Sequence, residues 1–190
     1  MKTNKIFIVS GPSGAGKDTI LSQLKKDTDK YFVSISMTTR APRENDGVPE
    51  VDGKDYYFVT KEKFEELIRE NKMLEYAEYC GQYYGTPLEP LLKAQEEGKT
   101  VILEIEIDGM RKVTSRLDDV ETIFITIPSV EVLEKRLRKR GKYSDEEIEK
   151  RLLKAQKELE YIGEYQHIII NDELEKAVDE LKNILTNGGK

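Results

Sequence analysis

The sequence predicts an α/β fold whose parallel core sheet is covered by helices on both faces. Five or six strand-like segments alternate with amphipathic helices along the 190 residues, which is the pattern of a parallel sheet with helical crossovers. The first strand, residues 6–9, is continuously apolar, as a strand buried on both faces requires. A glycine-rich loop joins this strand directly to a helix that begins near Lys17. Residues 36–87 carry further strands and a hairpin, so we expect them to form an inserted subdomain.

The glycine-rich loop at residues 11–17 has the sequence GPSGAGK and fits the pattern G-x-x-x-x-G-K. Its glycines allow the backbone to curl so that successive amide N–H groups point at phosphate oxygens. The positive end of the following helix dipole attracts the same anion, and Lys17 places an ammonium beside the β- and γ-phosphates. A glycine-rich turn with a chance lysine is the alternative, and the strand and helix that flank the loop argue against it.

Asp18 departs from this pattern, which normally has a serine or threonine after the lysine to bind Mg²⁺. Its carboxylate is a hard oxygen ligand that could bind Mg²⁺ directly, although without the metal it would repel the phosphates. In the alternative interpretation, Asp18 only stabilises the helix N-terminus and water completes the Mg²⁺ shell. The sequence leaves both interpretations open.

The composition limits the classes of function. A net charge of −6 and a pI near 5.1 argue against a general nucleic-acid-binding protein, so phosphate binding must come from local clusters of Lys and Arg. No apolar run has membrane-spanning length and no signal peptide is visible. The single cysteine, Cys80, cannot form an internal disulfide, and the single histidine, His167, excludes a His-rich metal site. We therefore expect a cytoplasmic protein with neither nucleic-acid nor membrane partners.

The remaining elements follow from apolar periodicity and from breaker residues. In the first half we predict a helix to residue 26, a strand at 31–35, a loop at 44–53, a strand at 56–59, a helix capped by Thr60, a strand at 73–79, a hairpin at 81–87 and a helix at 88–97. In the second half we predict strands at 100–107, 121–127 and 167–171, and helices after Gly109 and at 130–138, 144–161 and 174–185, with 186–190 frayed. Ser144 and Glu147 fit a capping box at the start of one helix.

Three groups of side chains are candidates for ligand binding. Arg40 and Arg43 lie three apart among hydroxyl residues, and arginine forks bind phosphate oxygens in pairs, although a solvated loop is the alternative. Glu104 and Glu106 stand at the end of the predicted strand 100–107, where open parallel sheets bind ligands, unless this is an edge strand with a wet face. The third group is a basic helix pair that could close over a phosphate or be only a solvated surface: Lys135, Arg136, Arg138, Lys139, Arg140 and Arg151.

These stretches resemble the guanylate kinase family over nearly the whole chain. Several motifs occur in the right order: 11–17, Ser36-x-Thr-Thr-Arg40-x-x-Arg43, Gly53-x-Asp55-Tyr56-x-Phe58, Glu75, Tyr83-Tyr84-Gly85-Thr86-Pro87, Pro128-Ser129, Arg136-x-x-x-Arg140-Gly141, Arg151 and Asn171-Asp172. The resemblance implies the reaction ATP + GMP (or dGMP) ⇌ ADP + GDP (or dGDP), with Mg²⁺. It also implies one P-loop three-layer sandwich domain with a core (1–35, 88–137 and 155–190), a mixed α/β GMP-binding region (36–87) and a small helical lid (138–154).

The resemblance implies roles for individual residues as well. The ATP site would comprise Gly11, Pro12, Ser13, Gly14, Ala15, Gly16, Lys17, Asp18, Thr19 and Asn171. Guanine would be recognised by Ser36, Glu75, Thr86 and Glu106, the GMP phosphate would be held by Arg40, Arg43, Tyr56 and Tyr84, and Glu50 and Glu104 would complete the GMP site. Charge on the transferring phosphoryl group would be stabilised by Lys17, Arg40, Arg136, Arg140 and Arg151. Carboxylates suit guanine because they accept from both its ring N–H and its exocyclic amine.

The chain departs from the family pattern at three places. Asp18 replaces the usual serine. Glu104 and Glu106 stand where the family has aspartate, so each carboxylate reaches one methylene further. The loop between Arg43 and Tyr56 is longer than usual, so Glu50 rather than Asp46 fills the acidic position of the family.

Two other functions remain as alternatives. An inactive protein-binding module of the same fold would have lost the cations of the loop and the lid, whereas this chain retains Lys17, Arg136, Arg140 and Arg151. A related kinase could act on another phosphorylated acceptor, such as a ribose bisphosphate, but Glu75 and the Tyr84-Gly85-Thr86 stretch favour a nucleotide. The sequence does not indicate the oligomeric state.

Overall fold

A computed structural model describes residues 5–45, 47–141 and 143–187. Its strands and helices begin and end as follows: β1 (Ile6–Ser10), α1 (Lys17–Leu24), β2 (Tyr31–Val33), β3 (Met37–Thr38), β4 (Glu44–Asn45), β5 (Val48–Pro49), β6 (Tyr57–Phe58), α2 (Lys61–Arg69), β7 (Met73–Tyr79), β8 (Gln82–Pro87), α3 (Leu88–Glu96), β9 (Thr100–Glu104), α4 (Ile107–Thr114), β10 (Val120–Thr126), α5 (Val130–Lys139), α6 (Asp145–Leu159), a 3₁₀ turn (Ile162–Glu164), β11 (His167–Ile170) and α7 (Leu174–Asn187).

The described strands include a five-stranded sheet in the order β11-β10-β1-β9-β2, in which every pairing is parallel. The strand that leads into the glycine-rich loop, β1, is therefore central, with β10 on one side and β9 on the other. The predicted α/β class with a parallel core sheet is confirmed. Ligands bind in such sheets at the carboxyl ends of the strands, which is where the glycine-rich loop lies.

Helices cover both faces of this sheet and make the core a three-layer sandwich. Successive residues of β1 point to opposite faces, so Phe7 and Val9 pack with α1, α5 and α7, whereas Ile8 packs with α3 and α4. All three side chains are buried. Burial of a large apolar side chain contributes about 1.5–3 kcal/mol, so the two apolar layers fix the position of the loop that follows.

A second, mixed sheet of the described chain has the order β6-β3-β8-β7. Strand β3 is parallel to β6 and antiparallel to β8, and β7 and β8 form an antiparallel hairpin. Helix α4 of the core and the residues just after it contact this sheet. Lys112 Nζ of α4 donates to the carbonyl of Tyr76, and Arg116 Nη1, two residues beyond the helix, donates to that of Leu74 at 2.9 Å. The residues of the predicted inserted subdomain are thereby anchored to the core.

Two of the sequence predictions are wrong in detail. The predicted loop 44–53 contains the short hairpin β4–β5, which Gly47 permits by adopting a φ of +76°. Asp46 lies outside the described residues. The predicted strand 100–107 ends at Glu104, so Glu106 is not on a strand but at the N-cap of α4. Just beyond the end of β9, the Ile105 carbonyl accepts a hydrogen bond from the Ser10 hydroxyl at 2.6 Å, and the Ile105 N–H donates to the carbonyl of Val9 at 3.3 Å.

The helix ends are close to those predicted. Thr60 caps α2 by accepting from the N–H of Lys63, and Ser144 and Glu147 form the predicted capping box of α6. Helix α7 continues to Asn187, beyond the predicted end at 185, and residues 188–190 lie outside the described range. Within the described residues, no helix has the length and apolar character needed to cross a membrane.

Candidate active site

The glycine-rich loop has a conformation that only glycines adopt without strain. Gly11, Gly14 and Gly16 have φ angles of +145°, +94° and +90°. A Cβ atom on Gly11 would lie 1.9 Å from the carbonyl oxygen of Ile125 in the neighbouring strand β10. Gly16 is also the N-cap of α1. The free N–H groups at the start of that helix therefore lie next to the loop, where they can donate to an anion.

Asn171 fixes the loop from the far edge of the sheet. It follows β11, and its Nδ2 donates to the carbonyl of Ala15 at 2.6 Å. A Cβ atom on Gly16 would lie 2.4 Å from the same Nδ2. Asn171, a residue of the predicted ATP site, thus holds the loop by donating to a backbone carbonyl of the loop that is 156 residues away in the sequence.

Lys17 folds back over the loop. Its Nζ donates to the carbonyl of Gly11 at 2.7 Å and to that of Pro12 at 3.3 Å. The ammonium is therefore at the mouth of the loop rather than in solvent, where phosphate oxygens can replace the two carbonyls as acceptors.

The arginines of the basic helix pair reach the loop and its surroundings. Arg151 of α6 donates from Nη1 to Ser13 Oγ at 3.0 Å, and its guanidinium stacks on the ring of Tyr143 at 4.1 Å. Arg136 of α5 donates to the carbonyl of Asn171 at 2.7 Å, and Arg140 follows one turn later at the end of the same helix. Helices α5 and α6 thus direct cations towards the phosphate loop.

Arg40 is held in the second sheet region by a two-pronged ion pair with Glu50. Its Nη1 donates to Oε2 at 2.7 Å and its Nη2 donates to Oε1 at 3.0 Å. The guanidinium also lies over the rings of Tyr56 and Phe58, at 5.1 and 5.7 Å. Its Nε is buried and has no hydrogen-bond partner among the described residues.

Glu50 organises the segment that carries the two predicted phosphate-binding arginines. Its Oε2 accepts from the backbone N–H of Arg43 at 2.7 Å as well as from Arg40. The hydrogen bond from Arg40 lowers the pKa of the Glu50 carboxyl, so it stays ionised. The Arg43 side chain itself is exposed. Glu50 therefore holds the Arg40 guanidinium and the backbone of residue 43 together, and its contribution to ligand binding stays a prediction.

Glu75 and Thr86 form a buried pair across the β7–β8 hairpin. Thr86 Oγ1 donates to Glu75 Oε1 at 2.7 Å, and only 7% of Glu75 and 0% of Thr86 is exposed. Burial raises the pKa of the Glu75 carboxyl. Gly109 of α4 makes room for this carboxylate, because a Cβ there would lie 3.2 Å from Oε2.

A cavity of about 680 Å³ brings the two halves of the predicted site together. The predicted residues that line it are Gly11, Ser13, Gly14, Gly16, Lys17, Asp18, Thr19, Ser36, Glu50, Tyr56, Glu104, Glu106 and Arg140. The predicted residues outside this lining are Pro12, Ala15, Arg40, Arg43, Glu75, Tyr84, Thr86, Arg136, Arg151 and Asn171. Several of these support the lining: Arg40 holds Glu50, Tyr84 contacts Tyr56 edge-on at 6.3 Å, and Asn171 holds the loop.

Asp18, in the first turn of α1, and Glu104, at the end of β9, are two acidic residues of the cavity lining. Burial raises the pKa of the Glu104 carboxyl, and the negative charge of Asp18 raises it further. No group of three or more metal-ligating side chains occurs among the described residues. Mg²⁺ typically takes one or two carboxylates, with phosphate and water oxygens as its other ligands. The pair therefore fits Mg²⁺ bound together with a nucleotide rather than a metal held by protein alone.

Comparisons with known proteins assign the chain to a family. The guanylate kinase family model matches residues 3–188. The chain belongs to the guanylate kinase family. A guanylate kinase of Synechocystis sp. is 46% identical over 181 residues, covering 95% of this chain and 93% of that protein. One of Desulfitobacterium hafniense is 45% identical over 180 residues, covering 95% and 88%. A crystal structure of guanylate kinase from Anaplasma phagocytophilum superposes with a TM-score of 0.74 at 30% identity, covering 99% of this chain and 87% of that one.

In this guanylate kinase family member the cavity has further lining residues that the motifs do not reveal. Lys154 and Glu158 of α6 are two of them, and Ser34, whose buried Oγ has no partner among the described residues, is a third. The helical spacing contains a signal for the first two, because Arg151, Lys154 and Glu158 are three and four residues apart and so share one helix face. No comparable signal marks Ser34, which follows a short strand.

Proposed function

We propose that the protein transfers the γ-phosphoryl group of ATP to GMP, and to dGMP, as an enzyme of purine nucleotide metabolism. The observation that carries the proposal is that one and the same cavity is lined by the glycine-rich loop and by Ser36, Glu50 and Tyr56 of the second sheet region. A kinase for a phosphorylated acceptor needs two phosphate sites that face each other. The 11–17 loop suits the donor, and the segment held by Arg40 and Glu50 suits the acceptor.

The proposed chemistry is positioning and charge neutralisation, because phosphoryl transfer does not require a strong general base. Lys17, at the mouth of the loop, would bind donor phosphate oxygens. Arg136, Arg140 and Arg151 would stabilise the charge that spreads over the transferring group. Arg40, with Tyr56 and Tyr84 beside it, would hold the GMP phosphate. Asp18 and Glu104 would hold Mg²⁺, which when bound supplies positive charge to the phosphate oxygens.

Guanine specificity is assigned to the carboxylates of the acceptor region. Glu75 already accepts from Thr86 with one oxygen, and its other oxygen suits the ring N–H or exocyclic amine of guanine. Adenine offers no matching pair of donors at that edge. A buried acceptor left unpaired is costly, so the wrong base is rejected strongly.

The domain division is proposed as the resemblance implies it: a core, a GMP-binding region at 36–87 and a lid at 138–154. Residues Tyr143 and Arg151, which contact each other, lie in the lid. Its closure would exclude water and so prevent wasteful hydrolysis of ATP. A cytoplasmic location is proposed with it, since one cysteine and no internal disulfide suit a reducing compartment.

The test is an acceptor panel with the purified protein, ATP and Mg²⁺. We expect phosphorylation of GMP to exceed that of AMP, CMP and UMP by at least about 10²-fold in kcat/KM. A ribose bisphosphate belongs in the panel because it represents the alternative class of acceptor. Equal rates for all nucleotides would remove the guanine assignment, and faster transfer to the ribose bisphosphate would replace the proposed substrate.

A further inference from the structure

One face of helix α6 extends from the phosphate loop to the acceptor side of the cavity. Arg151 contacts Ser13 of the loop at 3.0 Å. One turn later, Lys154 donates from Nζ to Glu106 Oε1 at 2.8 Å, and Glu158 Oε1 lies 3.6 Å from the same ammonium. Lys154, Glu106 and Glu158 all line the cavity. The helix that carries a catalytic arginine thus also contacts a residue assigned to the guanine site.

The contact between Lys154 and Glu106 is an ion pair between two largely exposed side chains. Glu106 stands where the family resemblance implies aspartate, so its carboxylate extends one methylene further from the start of α4. Its side chain is 78% exposed and that of Lys154 is 54% exposed. The two residues are 48 positions apart, so the ion pair connects two separate parts of the chain across the cavity.

We propose that Lys154 is a positioning residue that holds one carboxylate oxygen of Glu106 and leaves the other to the guanine base. This inference rests on the proposed function, because it assumes that Glu106 faces the acceptor base. An ionised carboxylate accepts at both oxygens, so an ammonium and a base N–H can bind it at the same time. Lys154 also belongs to the helix of Arg151, so the pair links closure over the donor to the orientation of the acceptor site.

The ion pair between Lys154 and Glu106 contributes little free energy in the free protein, and its contribution increases when water is excluded. Exposed ion pairs contribute little because water screens them. When nucleotides fill the cavity, the same pair is in a medium of lower dielectric constant and the attraction is stronger. The contribution of Lys154 is therefore expected in the KM for GMP rather than in the stability of the free protein.

The first experiment compares the variant K154M with a matched control, K157M. Lys157 is an exposed lysine on the same helix and lies outside the cavity lining. We expect the KM for GMP of K154M to rise about 2- to 5-fold, more than kcat falls, while the KM for ATP stays close to that of the wild type. K154R, which retains the charge, should recover most of the loss. Thermal unfolding of each variant checks that the fold is retained.

The second experiment is a double-mutant cycle with E106D, which shortens the partner. If Lys154 acts through the long side chain of Glu106, the effect of K154M on the KM for GMP should largely disappear in the E106D background. An equal fold-change in both backgrounds would mean that Lys154 acts elsewhere and would overturn the inference.

The outcomes also separate this inference from the proposed function. A wild-type protein that does not phosphorylate GMP removes both. A wild-type protein that is active on GMP, together with a K154M variant whose KM for GMP equals that of K157M, removes the role of Lys154 alone. A lower unfolding temperature of K154M with an unchanged KM would show that the ion pair is only structural.

Discussion

The two regions that we propose bind phosphate are built in different ways. The donor loop is held by backbone geometry: three glycines at positive φ, an internal bond from the N–H of Ala15 to the carbonyl of Pro12 at 3.0 Å, and the amide of Asn171. The acceptor region is held by charged and polar side chains, chiefly the Arg40–Glu50 ion pair and the Glu75–Thr86 hydrogen bond.

Because of this difference, the residue that would contact the ligand is separate from the groups that shape the structure in one region but not in the other. In the donor loop, the side chain that would contact phosphate, Lys17, is not the group that shapes the loop. In the acceptor region, Arg40 both holds the structure and would contact the ligand. A substitution in the first region should therefore affect either activity or stability, whereas one in the second should affect both.

The largest expected effect is on activity, from the variant K17M. Loss of the ammonium removes a donor aimed at charge that develops during transfer, so we expect kcat to fall roughly 10²- to 10³-fold. Stability should change little, since among the described residues Lys17 donates hydrogen bonds only to the carbonyls of Gly11 and Pro12. Steady-state kinetics with GMP and ATP, together with thermal unfolding, measures both quantities. A K17M protein of normal activity would contradict the assignment of the loop.

The next effect is on stability, from the variant G11A. The new Cβ would lie 1.9 Å from the carbonyl oxygen of Ile125, so the loop or strand β10 must move. Overpacking and backbone strain together predict a loss of about 3 kcal/mol in the free energy of unfolding. The matched control is G53A, where φ is also positive, at +72°, but the nearest atom, of Tyr57, is 3.9 Å away. We expect G53A to cost only about 1–2 kcal/mol; equal losses in urea unfolding would contradict this account.

A related difference explains which features of the structure could be predicted from the sequence: some depend on neighbouring residues and others on contacts between distant residues. The phosphate loop, the caps at Thr60 and Ser144 and the order of strands and helices depend on residues that are close together in the chain. Their physical causes, namely the freedom of glycine, side-chain oxygens at helix starts and apolar periodicity, are visible in a short window. These predictions agree with the structure to within a few residues.

Other features depend on contacts between distant residues, which a local pattern does not contain. The sequence predicts a loop at the β4–β5 hairpin because its two-residue strands are too short to show alternation. It predicts a strand to residue 107 because the apolar residues 101–103 lead into the alternating residues 104–107, whereas in the structure β9 ends at Glu104 and the carbonyl of Ile105 accepts from the hydroxyl of Ser10. The contact of Lys154 with Glu106 requires the fold that brings α6 to the start of α4. Long-range contacts of this kind are absent from propensity and periodicity.

The smallest of the three effects is that of the variant E50Q, which should change both activity and stability. The pH dependence of its stability should distinguish the acceptor region from the donor loop. Arg40 and Glu50 are largely buried, with side chains 9% and 12% exposed. The variant E50Q should lose about 1.5–3 kcal/mol at pH 7, the range for hydrogen bonds to charged groups, and its KM for GMP should rise because Arg40 is no longer held. The control E44Q removes an exposed carboxylate from the same segment and should behave as the wild type.

The pH dependence follows from the direction of the pKa shift. Folding lowers the pKa of Glu50, so the unfolded chain binds the Glu50 proton more tightly than the folded protein does. The stability that Glu50 contributes is therefore complete above its ordinary pKa of 4.5 and is lost as the pH falls through the lower pKa of the folded state. The difference in unfolding free energy between wild type and E50Q should accordingly narrow in acid. A difference that is constant from pH 7 down to pH values below both pKa values would mean that the ion pair does not stabilise the fold, and the proposed contrast with the backbone-held donor loop would then fail.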